Sequence, residues 1–167
     1  MLTAEEIRKY LKLQPHPAEG GYFAETYRSE HLLAPNALPA GYPGARSVST
    51  AIYYLLTPDS FSAMHRLRGD EIFHFYLGDP VELLQINANG AGEVVILGQD
   101  IVSGMKLQHV VPGGALQGSR LRAGGKYALL GTTVAPGFDY QDFEIGEREE
   151  LVAKFPEWSK MLAALTR

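Results

Sequence analysis

Cysteine is absent from this chain of 167 residues, and its absence excludes several kinds of chemistry. Without a thiol there is no disulfide, no thiolate nucleophile and no sulfur ligand for a metal ion. Excess positive charge is also missing, since 15 Lys and Arg stand against 19 Asp and Glu and the formal net charge is -4. This balance gives no electrostatic footprint for nucleic acid, so we expect no nucleic-acid partner.

Long apolar runs and targeting signals are missing as well. No stretch approaches the roughly 20 apolar residues of a membrane-spanning helix, so we expect no membrane partner. The first residues have neither the basic region nor the apolar region of a secretory signal peptide, which favours a cytoplasmic protein. The length and the 46% hydrophobic content suit a single domain over residues 1–167 with a sizeable core.

The chain does contain many short segments rich in Val, Ile, Tyr, Phe and Thr, separated by turn residues. This pattern predicts an all-β domain, in the form of a sandwich, barrel or jelly roll. The pairs Asn89-Gly90 and Gly124-Gly125 predict two-residue hairpin turns. The predicted strands cover residues 22–28, 47–57, 61–67, 71–77, 81–87, 93–97, 106–111, 116–122, 126–134 and 140–144.

Short helices are predicted at both ends of the chain. Thr3 and Glu6 have the spacing of a capping box, and the helix that follows should end before Pro15. Residues 147–154 form a second predicted helix, and Pro156 either ends it or starts a third.

Candidate catalytic residues lie on both sides of a predicted turn at residues 69–70. His65 is near the end of one predicted strand and Glu71 begins the next, so both side chains can point into one cavity. An imidazole and a carboxylate placed together can transfer a proton or bind a metal ion. The alternative for Glu71 is a salt bridge to Arg66 or Arg68 at the rim of the barrel.

His74 is the third candidate catalytic residue, and the sequence leaves its orientation open. A regular strand places Glu71, Phe73 and Phe75 on the interior face and His74 on the opposite face. A β-bulge near the turn would bring His74 inward instead. If it faces outward, a contact between sheets or between subunits is the structural alternative.

Segment 65–78 resembles the first conserved motif of the cupin superfamily, which contains two histidines, a glutamate and a glycine. The first histidine and the glutamate match His65 and Glu71, whereas Leu67 occupies the position of the second histidine. The Pro-x-Gly turn of the second motif is present at residues 112–114, and Gln117 stands where that motif has its histidine. Since an amide oxygen is a weak ligand for zinc or iron, the resemblance implies at most a modified metal site.

A closer resemblance, to the small single-domain cupins grouped as a domain of unknown function, covers almost the whole chain. It implies a double-stranded β-helix, a jelly-roll barrel with an accessible pocket, and usually a homodimer. It implies no particular reaction, because related cupins include sugar-phosphate isomerases, nucleotide-sugar epimerases and metal-dependent oxygenases. The segments that match are 15–29, 49–53, 65–78, 110–114 and 134–144.

Several other side chains are candidates for contact with a small-molecule ligand. Residues 20–21 allow a sharp turn before the first long strand, Arg46 has the charge to anchor an anion, and Tyr53 has a hydroxyl that can bond. His16 is interpreted as a loop residue and Asp139 as the cap of a turn. The candidate ligand-binding residues are Gln117, Phe73, Phe75, Glu25, Tyr53 and Arg46.

Three functional hypotheses follow. In the first, the protein is a carbohydrate or sugar-phosphate isomerase or epimerase, in which His65 removes a proton and Glu71 returns it or holds an ion. In the second, the pocket binds a small metabolite or nucleotide sugar without converting it, as the loss of two cupin histidines suggests. In the third, which ranks last, the protein is a metal-dependent oxygenase. The cofactor is unknown, and one divalent metal ion held by His65, Glu71 and Gln117 is the candidate.

Overall fold

The computed structural model describes residues 2–167, most of which belong to short antiparallel strands. The helices are α1 (Ala4–Leu11), α2 (Arg148–Lys154) and α3 (Ser159–Ala164). The strands are β1 (Gln14–Pro15), β2 (Tyr22–Arg28), β3 (Leu32–Leu33), β4 (Arg46–Ser47), β5 (Thr50–Leu56), β6 (Phe61–Leu67), β7 (Asp70–Gly78), β8 (Val81–Ile86), β9 (Gly92–Leu97), β10 (Gln108–Val111), β11 (Leu116–Leu121), β12 (Ala128–Ala135) and β13 (Phe143–Ile145).

Two sheets form the body of the fold. One has six strands in the order β1-β2-β5-β12-β7-β10, and the other has five in the order β13-β6-β11-β8-β9. From β5 onward the chain passes repeatedly from one sheet to the other, and only β8 and β9 follow each other within one sheet. This topology is a jelly roll, so the predicted all-β double-stranded β-helix with short terminal helices is confirmed.

The main core fills the space between the two sheets. Phe73 and Leu130 from the six-stranded sheet are almost fully buried against Leu83 and Leu97 from the five-stranded sheet. The inward residues alternate with outward ones along β7, as expected for a strand with one buried face. The core occupies one end of the barrel, which leaves the other end free for a cavity.

The helices pack on the outer faces of the sheets, and α1 covers only part of the six-stranded one. In α1 the predicted capping box is confirmed, because the Glu6 amide donates to Thr3 Oγ1 at 3.2 Å and the Thr3 amide donates to Glu6 Oε2 at 2.8 Å. Ile7 from α1 packs on the six-stranded sheet, while Leu151 from α2 and Leu162 from α3 pack on the five-stranded sheet. Within the described residues, no helix has the length and hydropathy needed to span a membrane.

Both predicted two-residue hairpins are wrong. Strands β8 and β9 are joined by five residues, 87–91, in which Gly90 has a φ of 86° while Asn89 keeps a negative φ and accepts a hydrogen bond from the Ala91 amide at 3.0 Å. Gly124 and Gly125 lie in the connection from β11 to β12, which belong to different sheets. A glycine pair between two apolar runs therefore marks a crossover here rather than a hairpin.

Candidate functional site

A cavity of about 310 Å³ lies between the sheets, beside the apolar core. That volume is at the lower end of the roughly 300–1,000 Å³ typical of small-molecule pockets. Its walls combine apolar side chains with an unusual number of ionisable groups. The ionisable side chains that line it are His16, Glu19, Glu25, Arg28, His65, Glu71, Asp139 and Tyr140.

His65 enters the cavity from β6 with its proton position determined by one hydrogen bond. Its Nδ1 atom lies 2.7 Å from the Ala63 carbonyl oxygen. A carbonyl oxygen only accepts, so Nδ1 must carry a proton and Nε2 is the basic nitrogen of the neutral ring. Burial lowers the pKa of His65, which favours this neutral form. Phe143 stacks on the ring with centroids 5.1 Å apart and fixes its plane.

A β-bulge explains how His65 and Ser62, three residues apart on β6, both face the interior of the barrel. His65 pairs with Gln117, and Ser62 pairs with Ser119, so three steps along β6 match two steps along β11. The extra residue turns both Ser62 and His65 inward, which a regular strand would not allow at a separation of three.

Glu71 faces the same cavity from β7, in the opposite sheet. Its Oε2 atom accepts a hydrogen bond of 2.7 Å from Gln117 Nε2, and the side chain is almost fully buried. Burial, followed by repulsion from Glu19, raises the pKa of Glu71 to about 7, although His65 partly opposes the shift. Near neutral pH Glu71 can therefore either give or accept a proton.

The free energy of unfolding should depend on pH because of the buried carboxyl of Glu71. Because its pKa is raised by folding, the native state binds the extra proton, and stability is lost as pH rises from the ordinary value of about 4.5 through about 7. We expect Glu71→Gln, which cannot ionise, to be more stable than the wild type at pH 8 by roughly 1–3 kcal/mol, and no more stable at pH 4.5. Urea denaturation at both pH values measures this, and equal profiles would refute the raised pKa.

The segment before β2 brings in a second histidine and carboxylate, His16 and Glu19. The Glu19 amide donates to His16 Nδ1 at 2.9 Å, so the proton of the neutral His16 ring sits on Nε2, which lies 3.9 Å from Glu19 Oε2. The Ser62 hydroxyl donates a short hydrogen bond to Glu19 Oε1. Burial raises the pKa of Glu19 and lowers that of His16. Gly20, with a φ of 104°, allows the chain to turn sharply after Glu19.

The mouth of the cavity carries an ion pair between two residues of β2. Arg28 contacts both carboxylate oxygens of Glu25, at 3.0 and 2.7 Å, and donates two hydrogen bonds of 3.2 Å to the Phe138 carbonyl oxygen. Asp139 lies beside them and caps its turn by accepting from the Gln141 amide at 2.9 Å, as predicted. The predicted ligand contact Glu25 thus lies in the cavity wall, but with its charge already paired.

The donor set does not fit the suggested metal ion. Among residues 2–167, no group of three or more His, Asp and Glu side chains is placed to hold a metal. Gln117 directs its amide nitrogen at Glu71, so the pair bond to each other instead of presenting three ligand atoms to one ion. Leu67, at the position of the second motif histidine, lines the cavity with an apolar side chain. A resident transition metal would therefore have one imidazole, which is a poor ligand set.

His74 and Tyr53, predicted at the site, lie on the outer face of the six-stranded sheet. His74 is within 3.1 Å of both Thr133 Oγ1 and Gln108 Nε2, and Tyr53 packs edge-to-face on Tyr76. A bulge does occur between β7 and β12, but the extra residue is Tyr76, two positions beyond His74. The alternation that turns Glu71 inward therefore turns His74 outward, so the structure does not bring His74 to the cavity with His65 and Glu71.

Three other predicted ligand contacts have structural roles. Phe73 and Phe75 are buried in the main core and do not line the cavity. Arg46 is 5% exposed and is held by Asp142, with Nε–Oδ2 at 2.6 Å and Nη2–Oδ1 at 3.0 Å. It is consequently not free to anchor an anion. Gln117 reaches the site only through its bond to Glu71.

The residues that sequence reasoning missed come mainly from the N-terminal segment and from the loop before β13. His16 is more than a loop residue, because it lines the cavity together with Glu19. Tyr140 lies in a short 3-10 turn where a strand was predicted, and its ring faces the same space. The available signal was the resemblance itself, since both regions lie in matched segments.

Comparison with known proteins agrees with this fold. Residues 5–146 match the family described as cupin superfamily (DUF985). An uncharacterised protein of Saccharomyces cerevisiae is 34% identical over 157 residues, which cover 88% of this chain and 78% of the yeast protein. A hypothetical protein from Leishmania major has a TM-score of 0.90 at 36% identity and covers 99% of both chains.

A protein from Shewanella oneidensis has a TM-score of 0.86 at 34% identity, over 100% of this chain and 99% of its own. Oxalate decarboxylase from Bacillus subtilis, with a TM-score of 0.53 at 13% identity over 92% of this chain and 37% of its own, shares the fold alone. The match over nearly the whole chain shows that this protein belongs to the DUF985 family of the cupin superfamily.

Proposed function

We propose that the cavity binds a small polar molecule and that His65 and Glu71 transfer protons on it, as in an isomerase or epimerase acting on carbohydrate-like hydroxycarbonyl compounds. The observation that carries the proposal is the free Nε2 atom of His65, a base of fixed tautomer beside a carboxyl with a pKa near 7. Two groups with shifted pKa values in one cavity are typical of acid–base catalysis.

The chemistry uses the two groups in opposite roles. His65 Nε2 takes the proton from the carbon next to the carbonyl, and the C–H electron pair moves into the double bond of an enediol. Protonated Glu71 gives its proton to the carbonyl oxygen. His65 then delivers the proton to the former carbonyl carbon, while the hydroxyl on the neighbouring carbon gives its proton to Glu71 and becomes the new carbonyl, which completes the isomerisation. The imidazolium and carboxylate that form between these steps stabilise each other.

Proton exchange with solvent tests this proposal. The wild type would be incubated in D₂O with free aldoses and ketoses and with their phosphates, and deuterium incorporation at carbon would be followed by NMR. We expect at least one compound to exchange at a rate well above that in buffer. Binding of a compound without exchange would refute the enzymatic role and would support a pocket that binds its ligand without converting it. The replacement of two motif histidines by Leu67 and Gln117 favours that alternative.

We also propose that the protein is a homodimer, formed through the outer face of the six-stranded sheet. Apolar side chains on this face remain accessible, since Tyr76 and Val110 are exposed by 45% and 47%. Its members alternate with the buried residues of the same strands and include Tyr53, Ile72, His74, Tyr76 and Val110. An uncovered apolar patch of this kind is typical of a subunit contact.

Light scattering of single-site variants tests the dimer. The wild type should have twice the mass of the 18.3 kDa chain, and Val110→Glu should reduce it to the monomer mass. Val102→Glu is the matched control, because Val102 is 95% exposed in the loop between β9 and β10 and lies off this face. A monomeric wild type would contradict the proposal.

A further inference from the structure

The cavity has more negative than positive groups on its walls. Glu19, Glu25, Glu71 and Asp139 line it, whereas Arg28 is its one Lys or Arg side chain among the residues that the structure describes. Arg28 is engaged by both oxygens of Glu25 and by the Phe138 carbonyl oxygen. An incoming anion would find no unpaired cationic side chain on this wall.

The carboxylate oxygens of Glu19 and Glu71 form no salt bridge with an Arg or Lys side chain among the residues that the structure describes. Arg167 lies near Glu19, but its guanidinium donates to the main-chain carbonyl oxygens of Ala18 and Glu19, at 2.8 and 3.1 Å. Glu71 is held by the Gln117 amide and Glu19 by the Ser62 hydroxyl, and the nearest imidazoles are buried where the neutral form is favoured. Isolated carboxylates in such a place are costly, and each would be stabilised by a positive charge at hydrogen-bonding distance. Arg167 bonds to main-chain oxygens, so within the described residues no guanidinium or ammonium group contacts either carboxylate directly.

A second observation indicates that a ligand belongs in this space. His65 is 1% exposed and lines the cavity, and its Nε2 atom has no hydrogen-bond partner within the described chain. Because Nδ1 makes the hydrogen bond of this ring, Nε2 remains available to bond to an occupant of the cavity. Phe23, Phe138 and Tyr140 add aromatic rings to the same walls, and such rings attract cations.

We infer that the natural ligand carries a positive charge, as in an amino sugar or a related aminated polyol, with its ammonium group held by the Glu19 carboxylate. This inference rests on the proposed function in that the same cavity binds a small polar molecule. It separates the amines from the phosphorylated sugars and nucleotide sugars, whose negative charge would be placed against buried carboxyl groups.

Three ligands of the same ring and different charge test the inference. Glucosamine, glucose and glucose 6-phosphate would be titrated into the wild type at pH 7, with binding followed by protein NMR. We expect glucosamine to bind about tenfold more tightly than glucose, as one charge-assisted hydrogen bond provides, and glucose 6-phosphate to bind more weakly than glucose. Equal affinities, a preference for the phosphate, or no binding of glucosamine would overturn the inference.

Variants that replace a carboxylate by a neutral amide show which carboxylate causes the preference for glucosamine. Glu19→Gln should reduce the preference for glucosamine over glucose by about tenfold. Glu144→Gln is the control, because Glu144 is an exposed acid outside the cavity, and it should keep the full preference. A preference unchanged in Glu19→Gln would also overturn the inference. The inference about charge and the proposed function can fail separately. A neutral sugar that exchanges deuterium would refute the cationic ligand but would leave the proposed proton transfer standing.

Discussion

Replacing Asp142 by alanine should lower the free energy of unfolding by about 3–5 kcal/mol, since it leaves a buried guanidinium without its partner. Asp142 is 8% exposed and accepts from Arg46 at 2.6 and 3.0 Å, and Arg68 Nε lies 3.2 Å from its Oδ1 atom. Arg46, at 5% exposure, cannot turn to solvent without disturbing the packing around β4. Urea denaturation of the purified variant measures the loss.

Glu144→Ala is the matched control for this prediction. Glu144 belongs to the same region of the chain and lies 3.5 Å from Arg66, but its side chain is 69% exposed. Exposed ion pairs contribute at most about 1 kcal/mol, so this variant should unfold close to the wild type. Equal losses in the two variants would show that the burial of Arg46 has no energetic consequence.

The sequence predicts the fold well because its information on strands is local. The boundaries of β2 and β6 agree with residues 22–28 and 61–67 as predicted, since runs of β-branched and aromatic residues end at turn residues. Gly124-Gly125 is misassigned because glycine indicates that the chain can turn, but not which sheet the next strand joins. At Asn89-Gly90 the chain does turn back into the neighbouring strand, but through a loop longer than two residues.

The candidate site is predicted only in part, because it depends on contacts distant in sequence. His65 and Glu71 are placed correctly in the cavity, since motif spacing and strand alternation both turn them inward. His16 and Glu19 are missed because the Ala63 amide, which donates to the Glu19 carbonyl oxygen at 2.9 Å, holds this segment from 44 residues away in sequence. No local pattern in residues 15–21 reveals that contact.

The buried position of Arg46 likewise depends on a contact that is distant in sequence. A loop arginine is ordinarily exposed, and nothing around it in the sequence points to Asp142, which is 96 residues away. The buried pair exists because β4 and the turn before β13 meet at one end of the barrel, a consequence of topology.

His65→Asn should decrease the proton exchange that we propose for this cavity by at least about 100-fold, the scale of a general base. Asparagine keeps an amide N–H that can donate to the Ala63 carbonyl oxygen in place of Nδ1, so the local backbone contact survives. It removes Nε2, the only atom of the side chain that can take the substrate proton. Ligand affinity should change much less than the exchange rate.

His74→Asn is the matched control for His65→Asn. It makes the same substitution in β7, at a residue that lies three positions beyond Glu71 and faces the outside of the barrel. Because His74 bonds to Thr133 and Gln108 outside the barrel, its replacement should leave the exchange rate within about twofold of the wild type, as for a surface change distant from the chemistry. If both variants lose exchange equally, the effect is structural and His65 is not the base. If only His65→Asn loses exchange, the activity depends on an imidazole that faces the cavity, and an imidazole on the outside of the barrel does not contribute.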